Sequence, residues 1–391
     1  MLARKILLLG ASGLIGRFVT DDLRARGFNV VGIARHFSFS QKTTAFDLEM
    51  PVMAMDAPDL ARLIQTYGID IVVNCLGVLQ DGPGSDTRAV HRDFVARLLQ
   101  AIRDSGRAIR LVHISIPGAA SEDRTAFSTT KREAERLISA SGIAYAILRP
   151  GFVVAPAAYG GSAMLRALAA LPVDLPAKEA ATPFQPVAVE DIAATIAWLA
   201  ARDIDDATPN SITWDLMQPQ PITLGRVIDH FRWSFGTSDG LRIEPSSLMI
   251  DLGAKLGDLA AWLGWTPPMR SNAIAELRRG VTGDPAGWMA ATGIVPKTIA
   301  QAVGQRAATI QDKWFARLFL IKALVIASLA LFWTVSGFIA LLISYPAAAG
   351  MLSSHGFPAA LVAPVTIVTS LMDMTIGVLI ALHRTAPRRS A

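Results

Sequence analysis

Short apolar runs and longer amphipathic stretches alternate over the first 235 residues of the chain. Residues 5–10 form an apolar run that ends in glycine, and the residues after it, including Phe18 and Leu23, continue at helical spacing. Further strand-like runs occupy 29–34, 43–46, 70–75, 109–115 and 143–148, and helix-like stretches occupy 58–67, 90–105 and 133–141. This alternation predicts an α/β fold with a doubly wound parallel sheet, which binds ligands at the carboxyl ends of its strands.

The hydropathy pattern changes near residue 315. No Asp, Glu, Lys or Arg occurs between residues 323 and 372, and two apolar stretches, 323–343 and 361–382, are each long enough to cross a hydrocarbon core of about 30 Å. The second stretch contains Pro364 and Asp373. We predict a C-terminal transmembrane helical hairpin in which Asp373 either binds a polar partner or supports helix packing, protonated against Ser336 or Thr334.

Basic residues flank this hairpin on one side only. They are Arg306, Lys313, Arg317 and Lys322 before it, and Arg384, Arg388 and Arg389 after it. By the positive-inside rule, we expect a multi-pass protein of the inner or plasma membrane, with the first domain and both termini in the cytoplasm. The same cations are expected to meet anionic membrane lipid, which makes lipid a predicted partner.

Composition excludes several classes of protein. The chain has 391 residues, 52% of them hydrophobic, a mean hydropathy of +0.39 and a net charge of +5. Cys75 is the one cysteine, so an intrachain disulfide and a multi-cysteine metal site are excluded, and the dispersed histidines predict no metal site. Because the basic residues are scattered or lie beside the apolar tail, no nucleic acid is expected as a partner.

The turn after the first apolar run has the spacing of a nucleotide-binding loop. Gly10 and Gly13 let the backbone turn tightly and approach a pyrophosphate, and Gly16 lets the helix pack closely on the strand. The phosphate is expected at the N-terminus of the helix. The predicted contacts from this turn are Gly10, Ser12, Gly13, Leu14, Ile15, Gly16 and Arg17.

The end of the second strand bears on the choice of cofactor. Arg35 stands where an NAD-selective site usually offers a carboxylate to the ribose 2′-hydroxyl, and together with Arg17 it could bind a 2′-phosphate. NADP(H) is therefore favoured over NAD(H). The alternative is that Arg35 is only a solvated residue at the end of a strand.

In the order of its motifs, the chain resembles the extended and atypical branch of the short-chain dehydrogenase/reductase superfamily over residues 1–235. The motifs are GASGLIG at 10–16, FDL at 46–48, VNCLG at 73–77, HIS at 113–115, LRPGFVVAP at 148–156 and PVAVEDIA at 186–193. The resemblance implies a Rossmann fold and further cofactor contacts. These are Asp47, Leu48, Cys75, Leu76, Gly77, Lys131, Pro150, Phe152 and Val153.

Weaker resemblances continue beyond this domain. Residues 252–303 are loosely similar to the helical segment of NmrA relatives and of the nucleotide-binding accessory subunit of respiratory complex I, and the hairpin is similar to part of DoxX-like domains. We therefore expect a Rossmann domain at 1–235 with a substrate loop at 156–185, a small helical substrate or lid region at 236–312, and the hairpin at 313–391.

The resemblance also implies a catalytic set. In active members a tyrosine four residues before a lysine transfers the proton, the lysine lowers the tyrosine pKa and holds the nicotinamide ribose, and a serine orients the substrate carbonyl. This chain keeps the lysine as Lys131 and the serine as Ser115, but Phe127 takes the place of the tyrosine. Neither Ser128, Thr129, Thr130 nor His113 is a convincing replacement acid, and Tyr159 is the one tyrosine that could reach the pocket from a loop.

Two functions remain open on these grounds. The first is an NADP(H)-dependent oxidoreductase acting on a lipophilic small molecule with a carbonyl or quinone-type group. The second is a catalytically silent NADP(H)-binding protein that assembles, stabilises or senses a respiratory or quinone-synthesis membrane complex. Phe127 separates the two, since it removes the usual proton donor from a site that is otherwise kept.

Overall fold

The structure, a computed structural model, describes residues 4–38, 40–82, 85–158, 160–202, 210–237, 240–262, 265, 267 and 269–382. Its strands are β1 (Lys5–Leu9), β2 (Asn29–Ala34), β3 (Asp47–Glu49), β4 (Ile71–Asn74), β5 (Arg110–Ile114), β6 (Tyr145–Pro150), β7 (Phe152–Val154), β8 (Pro183–Phe184), β9 (Pro186–Ala188), β10 (Ser211–Leu216) and β11 (Ile222–Thr223). Tyr159, Arg384, Arg388 and Arg389 lie outside the described residues.

The helices of the nucleotide half are α1 (Leu14–Ala25), α2 (Ala57–Tyr67), α3 (Phe94–Asp104), α4 (Ala126–Ser139), α5 (Gly160–Ala170), α6 (Ala177–Ala180), α7 (Val189–Ala200) and α8 (Leu224–Phe235). Those of the C-terminal part are α9 (Ser247–Trp262), α10 (Ser271–Arg279), α11 (Ala286–Thr292), α12 (Ile299–Gly304), α13 (Ile310–Phe338), α14 (Tyr345–Ser354) and α15 (Ala359–Ala381). A π-helical segment, Ile339–Ile343, continues α13.

A seven-stranded parallel sheet organises the first domain, in the order β10-β6-β5-β4-β1-β2-β3. Side chains alternate across it, so that Leu8 and Val112 pack in one core with α1 and α7, whereas Leu7 and Leu111 pack in the other with α2, α3 and α4. The predicted doubly wound Rossmann fold is confirmed, with helices on both faces and the loops after the strands at one edge.

The third strand differs from the prediction. Residues 43–46 do not form a strand, and β3 begins at Asp47. The backbone N–H groups of Thr43 and Thr44 donate to the Asp47 carboxylate, at 3.0 and 2.9 Å, and so close a turn where the extended run was expected. Local hydrogen bonding of this kind competes with a sheet ladder.

The helix that carries Lys131 is longer than its periodicity indicated. We expected a helix at 133–141, but α4 begins at Ala126. Thr125 and Ser128 form a capping box that satisfies the first backbone N–H groups, so the helix begins just before Phe127. Phe127 and Lys131 therefore lie four residues apart on one helical face.

Two long apolar helices form the C-terminal part, which confirms the predicted hairpin. The stretch Ile310–Ile343 and helix α15 are both long and apolar enough to cross a membrane. The first turns of α13 pack on α5, where Ala316 is fully buried, so this helix joins the nucleotide half to the hairpin. Residues 344–358, between the two apolar helices, contain α14, which has a proline in its first turn.

Close approach of α13 and α15 depends on two glycines. A Cβ at Gly377 would lie 2.2 Å from Thr334 Oγ1, and one at Gly337 would lie 2.4 Å from Ser370 O. Asp373 is half-buried and has no hydrogen bond or ion pair with any described residue, so neither Ser336 nor Thr334 is its partner here. The hairpin packs through small residues, as membrane helices commonly do.

Candidate active site

The glycine turn has the shape that a nucleotide pyrophosphate needs. Gly10 has a φ of +85°, and its N–H donates to Ile33 O at 2.9 Å, which ties the turn to the neighbouring strand. A Cβ at Gly16 would lie 2.1 Å from Gly10 O, so no other residue fits there. The turn thus brings the N-terminus of α1 directly onto the end of β1.

The first turn of α1 presents free backbone donors. Gly13 is the N-cap residue, and no side chain of the described residues caps the helix. Ser12, Leu14 and Ile15 are half-buried around it. Unsatisfied N–H groups and the helix dipole at this point form an anion site, which suits the predicted phosphates.

The end of β4 borders the same space. A Cβ at Gly10 would lie 3.3 Å from the carbonyl carbon of Cys75 and from a methyl group of Leu76, so these residues sit beside the turn. Burial raises the pKa of the Cys75 thiol to about 12, which makes it an unreactive neutral group. Gly77 follows, and a Cβ there would lie 3.6 Å from Lys131 Nζ.

Lys131 is buried at the centre of the site. Its ammonium donates to Ile114 O at 2.8 Å and to Leu76 O at 3.4 Å, so it links the loops after β5 and β4. Burial lowers its pKa to about 8, and nearby Glu135 opposes that shift. With three donors and two protein acceptors, the ammonium can donate one further hydrogen bond to a bound sugar hydroxyl.

His91, which sequence reasoning missed, holds the surroundings of Lys131 in place. Its Nε2 accepts from Val78 N–H at 3.1 Å, and its Nδ1 lies 2.9 Å from Thr130 Oγ1. Since the Thr130 hydroxyl donates to Ala126 O at 2.7 Å, Nδ1 carries the imidazole proton. Burial and the Lys131 ammonium lower the His91 pKa to about 2, so the ring is neutral and structural.

Phe127 lies in the position that the resemblance assigns to the proton donor. Its half-buried ring packs edge-on against His91. The nearby hydroxyls weighed as replacements are all engaged within α4: Ser128 with Thr125 at 2.9 Å, Thr129 with Thr125 O, and Thr130 with Ala126 O. None of them is free to transfer a proton to a substrate.

His113, the other candidate acid, lies inside the sheet. Its Nδ1 faces the Asn74 amide nitrogen at 3.2 Å, and the ring is fully buried. Burial lowers its pKa well below the usual value, with Lys131 and His91 adding to the effect. A neutral histidine of this kind supports the strand ends and does not supply a proton at neutral pH.

Ser115 stands at the end of β5, where its N–H donates to Leu148 O at 2.7 Å. Its hydroxyl lies beside the Glu135 carboxylate and helps to lower the pKa of that group, but it makes no hydrogen bond of good geometry with any described residue. Glu135 in turn binds Arg149 Nη2 at 2.7 Å. The carboxylate is therefore held ionised by a buried ion pair, and Ser115 remains available to a ligand.

This ion pair was missed, although the sequence carries a signal for it. Glu135 follows Lys131 by four residues and so lies on the same face of α4, and Arg149 belongs to the LRP motif at the end of β6. Arg132 adds to the network, since its guanidinium donates to Ile116 O, Pro117 O and Gly118 O. Together these side chains fix the loop between β5 and α4.

The segment after β6 leaves the seven-stranded sheet and forms β7, which pairs with β9. Pro150 ends β6, and Gly151 follows where a Cβ would lie 2.0 Å from Gln185 O. Phe152 packs edge-on against Phe184, whereas Val153 packs on the core that also contacts Ile15 of the glycine turn. Both residues remain predicted contacts of the cofactor.

The residues predicted at the adenosine end fall into two groups. Arg17 and Arg35 are exposed, and neither makes a hydrogen bond or ion pair with a described residue. Asp47 is instead buried and paired with Arg24 at 2.7 Å, where hydrogen bonds from Arg24 and Thr44 outweigh burial and lower its pKa. Leu48 is half-buried in the core beside β2. Asp47 therefore shapes the loop before β3 rather than offering a free carboxylate.

Helix α10 covers the loops that follow β4 and β5. Arg279 donates to Pro117 O at 2.8 Å and pairs with Asp123 at 2.8 Å, while Glu276 accepts from the Thr125 hydroxyl. Arg270, just before α10, donates to Asp81 O at 2.8 Å. Helix α10 therefore lies over the loops that Lys131 joins, and it belongs to the region 236–312 that was expected to contain a lid.

Comparison with protein families assigns the two parts of the chain. Residues 10–199 match a family described as NAD(P)H-binding, and residues 330–390 match the DoxX-like family. The first part is an NAD(P)-binding Rossmann domain. The predicted resemblance to nucleotide-binding reductases with a DoxX-like membrane segment is confirmed.

Curated relatives are reductases. A 3-diazoavenalumate denitrifying reductase from Streptomyces is 30% identical over 42% of this chain and 62% of its own length. A divinyl chlorophyllide a 8-vinyl-reductase from Cucumis sativus is 32% identical over 37% of this chain and 38% of its own length. The chain thus spans less than two thirds of each of these relatives, and the matches support an oxidoreductase-like nucleotide domain.

Solved structures share the fold at low identity. A UDP-glucose 4-epimerase from Thermotoga maritima is 12% identical with a TM-score of 0.54, over 82% of this chain and 99% of the epimerase. WbmG from Bordetella bronchiseptica, in complex with NAD, is 17% identical with a TM-score of 0.58, over 81% of this chain and 96% of its own. At these identities the likeness concerns the fold alone.

Proposed function

We propose that the chain is a membrane-anchored, cytoplasm-facing NAD(P)H-dependent reductase of a lipophilic acceptor with a carbonyl or quinone-type group. The observation that carries this proposal is Lys131, whose ammonium joins the ends of β4 and β5 beside the glycine turn and keeps one donor for a ribose. The reduced cofactor would supply a hydride. The chain's own residues bind the phosphates at α1, orient the ribose at Lys131 and offer the Ser115 hydroxyl to the acceptor.

A reductase without the phenol needs an acceptor that does not depend on a strong protein acid. Hydride transfer to a quinone leaves a delocalised anion, which takes its proton from water and becomes the hydroquinone, so electrons and protons balance. The names of two relatives, a vinyl-reductase and a denitrifying reductase, support reduction of groups other than a simple carbonyl. Phe127 fits such chemistry, because the Ser128 and Thr130 hydroxyls, its described neighbours on α4, are already hydrogen-bonded within that helix.

NADP(H) is our proposed cofactor over NAD(H). Arg17 and Arg35 are both exposed at the adenosine end, and neither makes a hydrogen bond or an ion pair with a described residue, although Arg17 interacts electrostatically with Asp21. Both guanidinium groups can therefore turn toward a 2′-phosphate. Asp47, the nearby acid, is already paired with Arg24, so it does not repel the phosphate strongly. A charge-assisted contact to phosphate is worth more than an ordinary hydrogen bond.

The test is turnover by the purified full-length protein in lipid nanodiscs. NADPH oxidation is followed with a panel of quinones and lipid carbonyls, and with NADH as the alternative donor. We expect NADPH-dependent reduction of at least one quinone-type acceptor. Tight NADPH binding without turnover on the whole panel would count against the reductase and favour the second candidate.

The second candidate is a catalytically silent NADP(H)-binding protein that assembles, stabilises or senses a respiratory or quinone-synthesis membrane complex. Phe127 and the engaged hydroxyls of Ser128 and Thr130 favour it, since the usual acid is replaced and these two described neighbours do not take its place. Purification in mild detergent discriminates the two. A respiratory or quinone-synthesis complex that co-purifies stoichiometrically supports the silent protein, whereas an isolated active protein contradicts it.

The proposed orientation follows from the charges at the hairpin. Lys313, Arg317 and Lys322 lie along the first turns of α13, just before its uncharged part. We place this end and the nucleotide domain in the cytoplasm of a cell with an inner or plasma membrane, where NADPH is available. The test is a reporter that is active only outside the cytoplasm, fused after residue 391. We expect it to give no signal, and a signal would contradict this placement.

A further inference from the structure

The large apolar side chains of helix α9 point away from the protein and are exposed. The outward side chains are Leu248, Met249, Leu252, Leu256, Leu259 and Trp262, each more than half exposed, and we call them the outer face of α9. Leu248 and Met249 are adjacent, and the others follow every three or four residues, so together they form one continuous stripe along the helix. A contiguous apolar stripe of this size marks a surface that meets a partner or a membrane.

The opposite side of α9 already packs on the protein. It carries Ile250, Ala254, Gly257 and Ala261, which are buried, and a Cβ at Gly257 would lie 1.9 Å from Met269 O. Its flanking carboxylates are taken up by arginines next to it: Asp258 binds Arg270 at 3.0 Å and Asp251 binds Arg278 at 2.7 Å. The inner side is therefore complete, and the outer face is what remains without cover in the described part of the chain.

The end of α9 is fixed beside the hairpin. Trp265, three residues after the helix, donates its indole Nε1–H to Ala381 O at 2.7 Å, at the last residue of α15. An indole that is bonded to the end of a spanning helix is typical of the membrane–water interface. The outer face of α9 thus ends beside the last residue of α15, where that helix would leave the lipid.

We propose that the outer face of α9 lies in the interface of the same bilayer that the hairpin spans. The helix is 16 residues long, so it would extend about 24 Å along the surface. Lys255 is exposed between Leu252 and Leu256, in the position from which its stem can lie among the apolar groups and its ammonium can reach anionic headgroups. The occupant is the lipid surface and not a second protein.

This placement has a consequence for the candidate site. Helix α10 packs on α9 and also covers the loops after β4 and β5, through Arg279 to Pro117 O and through Arg270 to Asp81 O. The cover of the site is therefore carried on an interfacial helix. An acceptor dissolved in lipid would approach the Lys131 side beneath α10, so the inference deepens the proposed function without resting on catalysis.

The test measures depth in the membrane at single sites of the full chain. Nitroxide labels are attached to Leu252→Cys, Leu256→Cys and Leu259→Cys in nanodiscs that contain phosphatidylglycerol, and collision with oxygen is compared with collision with a water-soluble nickel complex. Each label is placed in a Cys75→Ala background, so that the native thiol, which is half-buried, takes no label. All three labels replace exposed side chains, so folding is preserved.

Two matched labels make the result decisive. Phe46→Cys replaces an exposed apolar residue beside β3, at the far edge of the sheet, and Leu331→Cys reports the lipid around α13. We expect oxygen contact to exceed nickel contact several-fold at α9 and at Leu331, with the reverse at Phe46. The proposal fails if the α9 labels match Phe46 while Leu331 reports lipid, and dipolar broadening between α9 labels would overturn it in favour of a second copy. If nickel contact exceeds oxygen contact at Leu331 as well, α13 does not lie in lipid, and the membrane anchor of the proposed function is contradicted.

Discussion

The ring of Phe127 stands edge-on to the imidazole of His91, with centroids 5.5 Å apart and planes at 74°. His91 in turn accepts from Val78 N–H and binds Thr130 on α4. The residue at the usual proton-donor position is thus held by an aromatic contact rather than by a hydrogen bond. Lys131 and the glycine turn that are typical of a reductase are both present around Phe127. The effect of the missing hydroxyl can therefore be tested by a single substitution.

Phe127→Tyr restores the phenol one helical turn before Lys131. We expect carbonyl reduction by NADPH to appear or rise, because proton transfer by a positioned acid typically contributes about 10²- to 10⁴-fold. Phe127→Leu is the control, since it keeps an apolar residue without the hydroxyl. Initial rates on a carbonyl panel are the measurement, and equal rates for the Tyr and Leu variants would contradict a disabled proton donor.

Lys131→Met is expected to change how stability depends on pH. Burial lowers the Lys131 pKa from 10.5 to about 8, so between these values the unfolded chain holds the extra proton and the folded chain does not. Stability should therefore rise with pH across this window by about 3 kcal/mol for wild type. The melting temperature of wild type should therefore rise relative to that of Lys131→Met as the pH increases from 7 to 10.5. A difference in melting temperature that stays constant over this range would contradict a buried Lys131 with a lowered pKa.

Arg35→Gln tests the proposed 2′-phosphate contact. We expect the Kd for NADPH to rise about tenfold or more and the Kd for NADH to stay unchanged, because a charge-assisted phosphate contact is worth about 1.5–3 kcal/mol. Arg62→Gln removes an exposed arginine on α2 and serves as the matched control. Fluorescence titration with both cofactors is the readout, and an equal loss for NADH would point to folding instead.

Gly16→Ala should disrupt the nucleotide turn. The new Cβ would meet Gly10 O at 2.1 Å, a backbone atom that cannot yield cheaply, so we expect a loss of about 1–3 kcal/mol of stability together with cofactor binding. Gly161→Ala is the control, because it lies in helix α5 with nothing within 4 Å, and there alanine should be neutral or stabilising. Thermal unfolding and NADPH titration of both variants provide the comparison.

The sequence predicted the features that depend on local pattern. Gly10 follows β1 directly and Gly16 lies in the first turn of α1, in a stretch whose change from strand to helix periodicity is clear. Lys131 was found through its motif, because the periodicity alone began α4 at residue 133. The third strand was misplaced because the Asp47 carboxylate captures the backbone of Thr43 and Thr44, which is a side-chain effect that hydropathy does not register.

Contacts between distant parts of the chain could not be predicted. Arg279 reaches Pro117 O across 162 residues, and the Trp265 indole reaches Ala381 O across 116 residues. Nothing in the periodicity of α9 or α10 says which loop each will meet, since tertiary packing chooses among many similar surfaces. Helix α14 was not predicted for a different reason: its uncharged sequence has no alternation of apolar and polar residues from which a helix could be recognised.

Gly377→Ala addresses how the hairpin holds together. A Cβ there would lie 2.2 Å from Thr334 Oγ1 and 2.6 Å from Thr334 N, so α13 and α15 must separate to accept it. Membrane helices gain little from hydrophobic burial and depend on close packing, so the separation should lower the melting temperature of the hairpin in detergent. Gly350→Ala, in α14 with nothing within 4 Å, is the matched substitution and should leave that temperature unchanged or raise it. If both variants melt like wild type, the two spanning helices are not in the close contact that these glycines allow.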